Sequence, residues 1–402
     1  MTRVPTYNQF GGIHPETAAL TNVLAAKGLK APHSGQPFTE AMLLGIGGGL
    51  GAGYILWEFK DHRGMVGAKV LVFGWQNRWQ YTMQFYENLC SRINIQAVFH
   101  ETGSQKAAAQ HLDDALNAGN AVVAWVDQAQ MPYLNLPKSL EGHMGQLIAI
   151  YGIEDGAVLV DDLAAKPFRV PLEVMASARA RIGSYKNRLL VPEIKGDIDL
   201  PQAIMMGIQD QIDHLNKDSD SFSLPTFQKW GKMMTHPKNA KGWPVVFADR
   251  RGLYGALASI YEGIELLGTG GGGMRALYAD FLDEAAPIVD RPALAEAAAH
   301  YRSLAARWTA FAETVLPDNV EPLRDIKTVL RQQHDLLMRE GGQAADALKT
   351  FSTRLGELYP QYNRNFPMSD AEIDAHFKKM GDELLSLYEA EKAALAVLEA
   401  AV

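Results

Sequence analysis

The sequence predicts an α+β protein in two parts: an α+β domain with an antiparallel sheet over residues 1–195, and a mostly α-helical domain over residues 196–402. Strand and helix patterns of apolar residues alternate in the first part, whereas long helical patterns rich in Ala, Leu and Glu fill the second. Asp155-Gly156 between two apolar runs predicts a tight hairpin, so the strands on either side should be antiparallel neighbours. A chain of 402 residues is long enough for two such cores.

The first helix is expected to begin at Pro15, because apolar residues recur at helical spacing over residues 16–27. Proline suits the first helical position, where the N–H that it lacks would have no partner inside the helix. A second, shorter helix is predicted over residues 39–44, and it leads into a glycine-rich segment at 45–54.

The later elements follow from the same hydrophobic patterns and from their end signals. Gly119 stands where a left-handed helix cap is expected, and Ser369 with Glu372 predicts a capping box before the last long helix. Strands are predicted over residues 69–73, 96–100, 121–127, 146–153, 157–161 and 184–191. Helices are predicted over residues 79–92, 104–118 and 172–181.

Composition and charge exclude several classes of partner. A net charge of −8 argues against nucleic acid and anionic membranes, since phosphate binding needs a concentrated basic surface. A membrane-spanning helix would need about 18 uninterrupted apolar residues, and no such run is present. The first ten residues lack the basic-then-apolar order of a secretory signal. We therefore expect a cytoplasmic protein with no nucleic-acid or membrane partner.

The single cysteine, Cys90, excludes an internal disulfide and a thiolate metal cluster. It shares a helical face with apolar residues, which predicts a buried, inert thiol. The histidines do not share metal-ligand spacing with a carboxylate, and no His-Glu-x-x-His motif is present. No metal and no other cofactor is predicted.

Two glycine-rich stretches need an interpretation. The first, at residues 45–53, fits a loose dinucleotide-binding pattern, but it follows a helix instead of a strand and lacks the Lys-Ser or Lys-Thr pair of a phosphate loop. Close backbone contact beneath another element is favoured there instead. The second, at residues 270–273, lies between two helices and is interpreted as a hinge or helix stop.

Four segments together resemble the butirosin biosynthesis protein H family: "GGIHPETAALTNVLAAKGL", "FTEAMLLGIGGGLGAGYILWEF", "GHMGQLIAIYGIEDGAVLVDDLA" and "GGGGMRALYADFLDEAAPIV". The resemblance implies a papain-like domain followed by a mostly helical domain. It also implies transfer of an acyl group from a carrier-protein thioester to an amine, and hence an acyl carrier protein or an amine or peptide ligand as partner.

Papain-like chemistry uses a thiolate at a helix amino terminus, a histidine base, an acid that orients the histidine and a glutamine that binds the oxyanion. The resemblance places the oxyanion glutamine at Gln9 and puts Pro15, directly after His14, where the family usually has the cysteine. Proline supplies neither a thiol nor the backbone N–H that an oxyanion hole uses. A cysteinyl intermediate at this position is therefore excluded.

On the hairpin, the resemblance puts Asp162 at the position of the orienting acid and Gln146 at that of the histidine. His143 lies three residues before Gln146, and strand alternation would place their side chains on opposite faces. His143 can substitute as the base only if the strand begins after it and the preceding loop folds inward.

Other polar residues near Pro15 have two interpretations each. His14 and Glu16 could form an acid–base pair, or Glu16 could complement the helix dipole beside an ordinary Thr17. Asp161 could bind a ligand or be one charge of a hairpin end. We therefore predict a catalytic set of Gln9, His14, His143 and Asp162, and a binding set of Pro15, Glu16, Thr17, Gln146 and Asp161.

Two functions follow. One is an acyl-transfer, amide-forming or amide-cleaving enzyme of specialised metabolism, with His14 or His143 as base together with Asp162 or Glu16. The other is a catalytically degenerate protein that binds a peptide, an amine or a carrier-linked acyl group. The long helices of the second half could form a homo-oligomer interface or cover the groove.

Overall fold

The computed structural model describes residues 2–58, 69–76, 82–136 and 138–402. The chain divides into two compact units, each assembled from separate stretches of sequence. The first unit comprises Met1–Leu43, Tyr86–Ala203 and Gln332–Thr353, and the second comprises Leu44–Phe85, Ile204–Arg331 and Arg354–Val402. The domain boundary predicted near residue 195 stays a prediction.

The described residues form an α+β protein with an antiparallel sheet in the N-terminal half and helices in the C-terminal half, as the sequence predicts. The strands are β1 Thr2–Arg3, β2 Leu50–Glu58, β3 Lys69–Gln76, β4 Ile95–His100, β5 Val122–Asp127, β6 Gly145–Glu154, β7 Ala157–Asp161, β8 Phe168–Pro171 and β9 Leu189–Ile194. The helices are α1 Pro15–Ala26, α2 Glu40–Ile46, α3 Thr82–Arg92, α4 Gln105–Asn117, α5 Leu172–Arg181, α6 Leu200–Leu215, α7 Pro225–Met233, α8 Trp243–Val246, α9 Leu253–Glu265, α10 Arg275–Ile288, α11 Ala293–Val315, α12 Glu321–Glu340, α13 Ala345–Tyr362 and α14 Asp370–Ala400.

Several local signals act as predicted. Helix α1 begins at Pro15, and Gly119 after α4 has φ +78°. The β6–β7 turn has Asp155 at φ +49° and Gly156 at φ +74°, the two left-handed residues that a tight hairpin needs. The capping box of Ser369 and Glu372 at the start of α14 has both of its hydrogen bonds.

Other elements differ from the prediction. Strands β1, β2 and β8 were not predicted, because two of them are short and β2 begins inside the glycine-rich segment. The strand predicted over 184–191 begins only at residue 189, since Lys186 and Asn187 have φ +47° and +51° and interrupt an extended chain. The helix predicted over 79–92 begins at residue 82 among the described residues, and residues 79–81 lie outside them.

In the first unit, seven of the described strands form one antiparallel sheet in the order β4-β9-β5-β6-β7-β8, with β1 also paired to β6. Helix α1 lies against β5 and β6, and α5 lies against β5, β7 and β8. The sheet therefore brings the start of α1 to the β6–β7 hairpin, which carries the predicted acid.

In the second unit, β2 and β3 pair with each other, and α7 and α9 lie against this ribbon. Helix α14 contacts α7 and α11, and α10 contacts α11. Three fully buried tryptophans, Trp230, Trp243 and Trp308, fill the core of this unit. None of the described helices is long and apolar enough to cross a membrane.

The glycine-rich segment provides close contact, which confirms the interpretation favoured from the sequence. A Cβ at Gly45 would lie 2.3 Å from the ring of Phe281, and one at Gly47 would lie 2.1 Å from the ring of Phe85. Real Cβ atoms do not approach other atoms this closely, so a larger residue would have to displace an aromatic ring. The glycines are thus explained by contact with buried rings.

Candidate functional site

The amino terminus of α1 is capped by a carboxylate from another helix. His14 is the N-cap residue, and its side chain makes no capping hydrogen bond. Instead, Glu40 of α2 accepts hydrogen bonds from the backbone N–H of Ile13 (2.9 Å) and of His14 (2.7 Å), and from Thr17 Oγ1 (2.8 Å). A negative charge here is favourable because it meets the positive end of the helix dipole.

The His14 side chain is fully buried, with 0% of its surface exposed. Its Nε2 lies 3.0 Å from Oε2 of Glu16, and its Nδ1 lies 3.3 Å from Oγ1 of Thr17. The backbone carbonyl of Glu16 accepts a hydrogen bond from the Tyr86 hydroxyl (2.8 Å). The structure therefore brings the predicted residues His14, Glu16 and Thr17 together in one polar cluster.

Asp161, at the end of β7, is held by three donors. Its Oδ2 accepts from the Tyr7 hydroxyl (2.6 Å) and from Asn22 Nδ2 of α1 (2.7 Å), and its Oδ1 accepts from the backbone N–H of Gly11 (3.0 Å). Burial raises the pKa of Asp161, and the three hydrogen bonds oppose that rise. Asp161 thus ties the segment before α1 to the hairpin.

Asp162 follows directly and is also buried, with 6% of its surface exposed. Its Oδ2 accepts from the Tyr133 hydroxyl (2.7 Å), and its Oδ1 accepts from Gln146 Nε2 (2.5 Å). Burial raises the pKa of Asp162 to about 6 although both hydrogen bonds lower it, and the nearby charge of Asp161 adds to the rise. Gln146 therefore occupies the partner position of the acid, where the resemblance places a histidine.

A narrow crevice lies between α1 and the hairpin. About 160 Å³ of space lies among its residues, a figure that includes open solvent, and none of it is wide enough for a water molecule. It is lined by Pro15, Ala18, Ala19, Asn22, Leu147, Asp161, Asp162 and Leu163. The crevice brings the proline of the predicted nucleophile position together with the predicted acid.

Two predicted residues lie elsewhere. Gln9 is half-buried and does not belong to the residues that line the crevice. His143 is exposed, and its backbone N–H donates to the carbonyl of Leu140 (3.0 Å) in the turn before β6. The strand does begin after His143, at Gly145, but the turn leaves this side chain at the surface. The catalytic roles of Gln9 and His143 stay predictions.

Sequence reasoning did not identify four residues of the site. Glu40, Tyr7, Asn22 and Tyr133 supply the hydrogen bonds that position His14, Asp161 and Asp162. Their partners lie 26, 154, 139 and 29 residues away in the chain, respectively. No local spacing or motif signals contacts of this kind.

Cys90 is buried as predicted, with 1% of its surface exposed, and burial raises the pKa of its thiol to about 12. A thiol in this state is protonated at neutral pH and is a poor nucleophile. Within the described ranges, no group of three His, Cys, Asp or Glu side chains is arranged to hold a metal ion.

Comparison with known families agrees with the resemblance seen in the sequence. Residues 14–163 match the family model Butirosin biosynthesis protein H, N-terminal. Residues 173–348 match the model Domain of unknown function (DUF4872). A search of curated proteins found no match. The two models match in succession, so residues 14–163 form a domain of the butirosin biosynthesis protein H N-terminal family, and a DUF4872 domain follows it.

Proposed function

We propose that this chain is a catalytically degenerate acyl-handling protein of specialised metabolism, which binds a carrier-linked acyl group or an amide at the crevice. The observation that carries the proposal is the hydrogen bond from Gln146 to Asp162 (2.5 Å) beside a crevice that Pro15 lines. The family match supports a function related to acyl transfer in butirosin-type biosynthesis.

The arrangement of elements supports a papain-like scaffold as part of this proposal. A helix amino terminus at Pro15 lies beside an antiparallel strand pair that carries the acid Asp162. Papain-like enzymes use this juxtaposition to place a thiolate, a histidine and an acid within reach of one carbonyl group.

The side chains at these positions lack the chemistry that such an enzyme needs. Pro15 has no sulfur and no N–H, so it offers neither a nucleophile nor an oxyanion donor. The side-chain amide of Gln146 does not accept a proton at neutral pH, so it cannot replace a histidine base. The remaining thiol, Cys90, lies buried on α3.

The crevice offers apolar contact from Ala18, Ala19, Leu147 and Leu163, and its polar lining residues are Asn22, Asp161 and Asp162. This combination suits an acyl chain whose thioester or amide lies near the carboxyl group. Because the crevice is too narrow for water, the proposal requires its walls to move apart when an acyl chain binds. An acyl carrier protein, an amine or a peptide is the corresponding partner.

A second candidate function is direct acyl transfer to an amine without a covalent intermediate. It is favoured by the pKa of about 6 for Asp162, because a general base works best when its pKa lies near the working pH. The neutral amine would attack the thioester carbonyl carbon, and Asp162 would take the proton that the nitrogen loses. The carbon–sulfur bond would then break, and Asp162 would pass that proton to the departing thiolate, so that an amide and the carrier thiol are the products.

The experiment uses S-butanoyl-N-acetylcysteamine, a small thioester that mimics a carrier-linked acyl group, with and without butylamine. Ligand-observed NMR measures binding, and mass spectrometry measures loss of the thioester. We expect binding without turnover, and loss of binding in Ala19→Leu, which fills the crevice. Ala109→Leu on the exposed face of α4 is the matched control.

Each outcome decides between the alternatives. Turnover that disappears in Asp162→Asn would establish the second candidate. Neither binding nor turnover, or binding that Ala19→Leu leaves unchanged, would overturn the assignment of the crevice as the ligand site.

A further inference from the structure

We infer that residues 338–343, which lie inside the matched domain of unknown function, act as a clasp that holds the loop 163–168 and thereby shapes the crevice. We call residues 338–343 the clasp and residues 163–168 the crevice loop. Both belong to the first compact unit. The inference assigns a structural role to part of a domain without a known one, and it rests on the proposed function only for its ligand.

Main-chain and side-chain bonds join the two segments. The N–H of Ala165 donates to the carbonyl of Met338 (2.8 Å), and the N–H of Gly342 donates to the carbonyl of Pro167 (3.4 Å). Lys166 Nζ lies 2.5 Å from Oε2 of Glu340 and 3.1 Å from Oε1 of Gln343. The crevice loop is thus bonded to the clasp at three successive residues.

Gly341 lets the clasp come this close. Its φ of +53° favours glycine, and a Cβ there would lie 2.2 Å from the carbonyl oxygen of Lys166. Any side chain at this position would therefore push the crevice loop away from the clasp.

The crevice loop needs an external hold because it contains an unfavourable backbone conformation. Leu163 lines the crevice and has φ +58°, a region that residues with a side chain rarely adopt. Its carbonyl accepts a hydrogen bond from the N–H of Gly12 (3.0 Å). Strained residues persist only where surrounding contacts fix them. Here Gly12 bonds to Leu163 itself, and the clasp bonds to residues 165–167, which follow it.

The loop begins directly after Asp162, so a shift of the loop would move the backbone that carries this carboxylate relative to its donors Tyr133 and Gln146. The N–H of Ala164 donates to the carbonyl of Asp162 (2.6 Å), which makes a tight turn at the crevice. The clasp residues are therefore positioning residues for Asp162. The site extends beyond residues 14–163, the range matched by the N-terminal family model.

The test compares Gly341→Ala with Gly356→Ala in the full chain. Gly356 is exposed on α13, and a Cβ there would meet nothing within 4 Å. The hydrogen-exchange rate of the Ala165 amide measures how often its bond to the Met338 carbonyl opens. The pH at which the Asp162 carboxyl titrates, followed by NMR, measures how buried that carboxyl is. In Gly341→Ala we expect exchange about tenfold faster or more, and a titration midpoint closer to that of an exposed carboxyl. In Gly356→Ala the Ala165 amide should exchange no faster than in the wild type, and the Asp162 midpoint should be unchanged.

Binding of S-butanoyl-N-acetylcysteamine is the third measurement, and Gly341→Ala should weaken it by about tenfold. If Gly341→Ala fails to fold, Gly342→Ala is the milder variant, since its Cβ would lie 3.2 Å from the Pro167 carbonyl oxygen. If Gly341→Ala changes neither the Ala165 exchange rate nor the Asp162 midpoint, residues 338–343 do not hold the crevice loop. If the Ala165 exchange rate and the Asp162 midpoint both change in Gly341→Ala but the wild type binds no thioester, the role of the clasp is supported and the proposed function is wrong.

Discussion

Gln146 and Asp162 are joined across the β6–β7 hairpin by a hydrogen bond of 2.5 Å from the amide Nε2 to the carboxylate Oδ1. The register pairs Ala149 with Asp161, so Gln146 reaches the acid diagonally from the neighbouring strand. A histidine at residue 146 would direct a ring nitrogen toward the same carboxylate. The hairpin therefore holds a side-chain amide against a buried carboxylate, at the two positions that the resemblance assigns to a base and its orienting acid.

Pro15→Cys combined with Gln146→His, in a Cys90→Ala background, should create a reactive thiol. The helix amino terminus and a nearby imidazole both lower the pKa of a thiol. We expect iodoacetamide to alkylate residue 15 about tenfold faster than in Pro15→Cys alone at about pH 6.5. Mass spectrometry of the modified peptide measures the rate. Equal rates with and without the histidine would show that residue 146 does not act on residue 15.

Asp162→Asn should change how stability depends on pH. The folded pKa of about 6 lies above the ordinary value of 3.8, so between these values the folded state keeps a proton that the unfolded state releases. Asp162 alone should therefore lower the free energy of unfolding by about 3 kcal/mol as pH rises through this window, and Asp162→Asn should remove that contribution while those of Asp161 and Glu262 remain. Urea denaturation at about pH 4 and about pH 7.5 gives the free energy of unfolding at each pH for both proteins.

The comparison for this variant is Asp113→Asn on the exposed surface of α4, which should track the wild type at both pH values. If Asp162→Asn differs from the wild type by the same amount at both values, the carboxyl group of Asp162 does not titrate in this window.

Glu40→Ala should destabilise the first unit, because it removes the acceptor of three hydrogen bonds at the start of α1. Unsatisfied donors cost about 1–3 kcal/mol each when buried, and water reaches part of this site, so we expect a loss of about 3 kcal/mol. Glu40→Gln should lose less, since its amide keeps one acceptor oxygen. Denaturant unfolding gives the free energy of unfolding of the wild type, Glu40→Ala and Glu40→Gln, with exposed Asp113→Ala as the control. If Glu40→Ala loses no more stability than Asp113→Ala, the capping role of Glu40 is wrong.

Gly45→Ala should destabilise the second unit through steric overlap with Phe281, whose ring lies 2.3 Å from the position of a Cβ. Overpacked cores lose about 1–3 kcal/mol. Gly356→Ala, in an open helical position, should instead gain about 0.5–1 kcal/mol, because alanine restricts the unfolded chain. Thermal unfolding compares the two, and equal midpoints would argue against close contact at Gly45.

Local chemistry was sufficient to predict much of the fold. The start of α1 at Pro15, the turn at Asp155-Gly156 and the capping box at Ser369 depend on neighbours within a few residues, and each is confirmed. Strand β2 was missed because its first residues, Leu50–Gly53 ("LGAG"), read as part of a loop. Its pairing with β3 stabilises an extended strand that the composition of this segment does not predict.

The site was predictable only in part, because several of its contacts join residues that are far apart in the sequence. Pro15, Gln146 and Asp162 could be placed by comparison with a known arrangement of helix and hairpin. Glu40 could not, since its role depends on how α2 packs beside α1. Likewise, the left-handed backbone at Leu163 lies in a loop whose partners are far away in the sequence: Gly12 bonds to the Leu163 carbonyl, and Met338 of the clasp bonds to Ala165.

The interleaved make-up of the two units has a consequence for biosynthesis. The unit that contains the crevice includes Gln332–Thr353, so the ribosome has to translate at least 353 residues before its last stretch exists. Residues 1–195 emerge from the exit tunnel long before that stretch is made. Until that stretch is made, the nascent sheet lacks the bonds that join the crevice loop to the clasp, and the surface that they cover stays exposed.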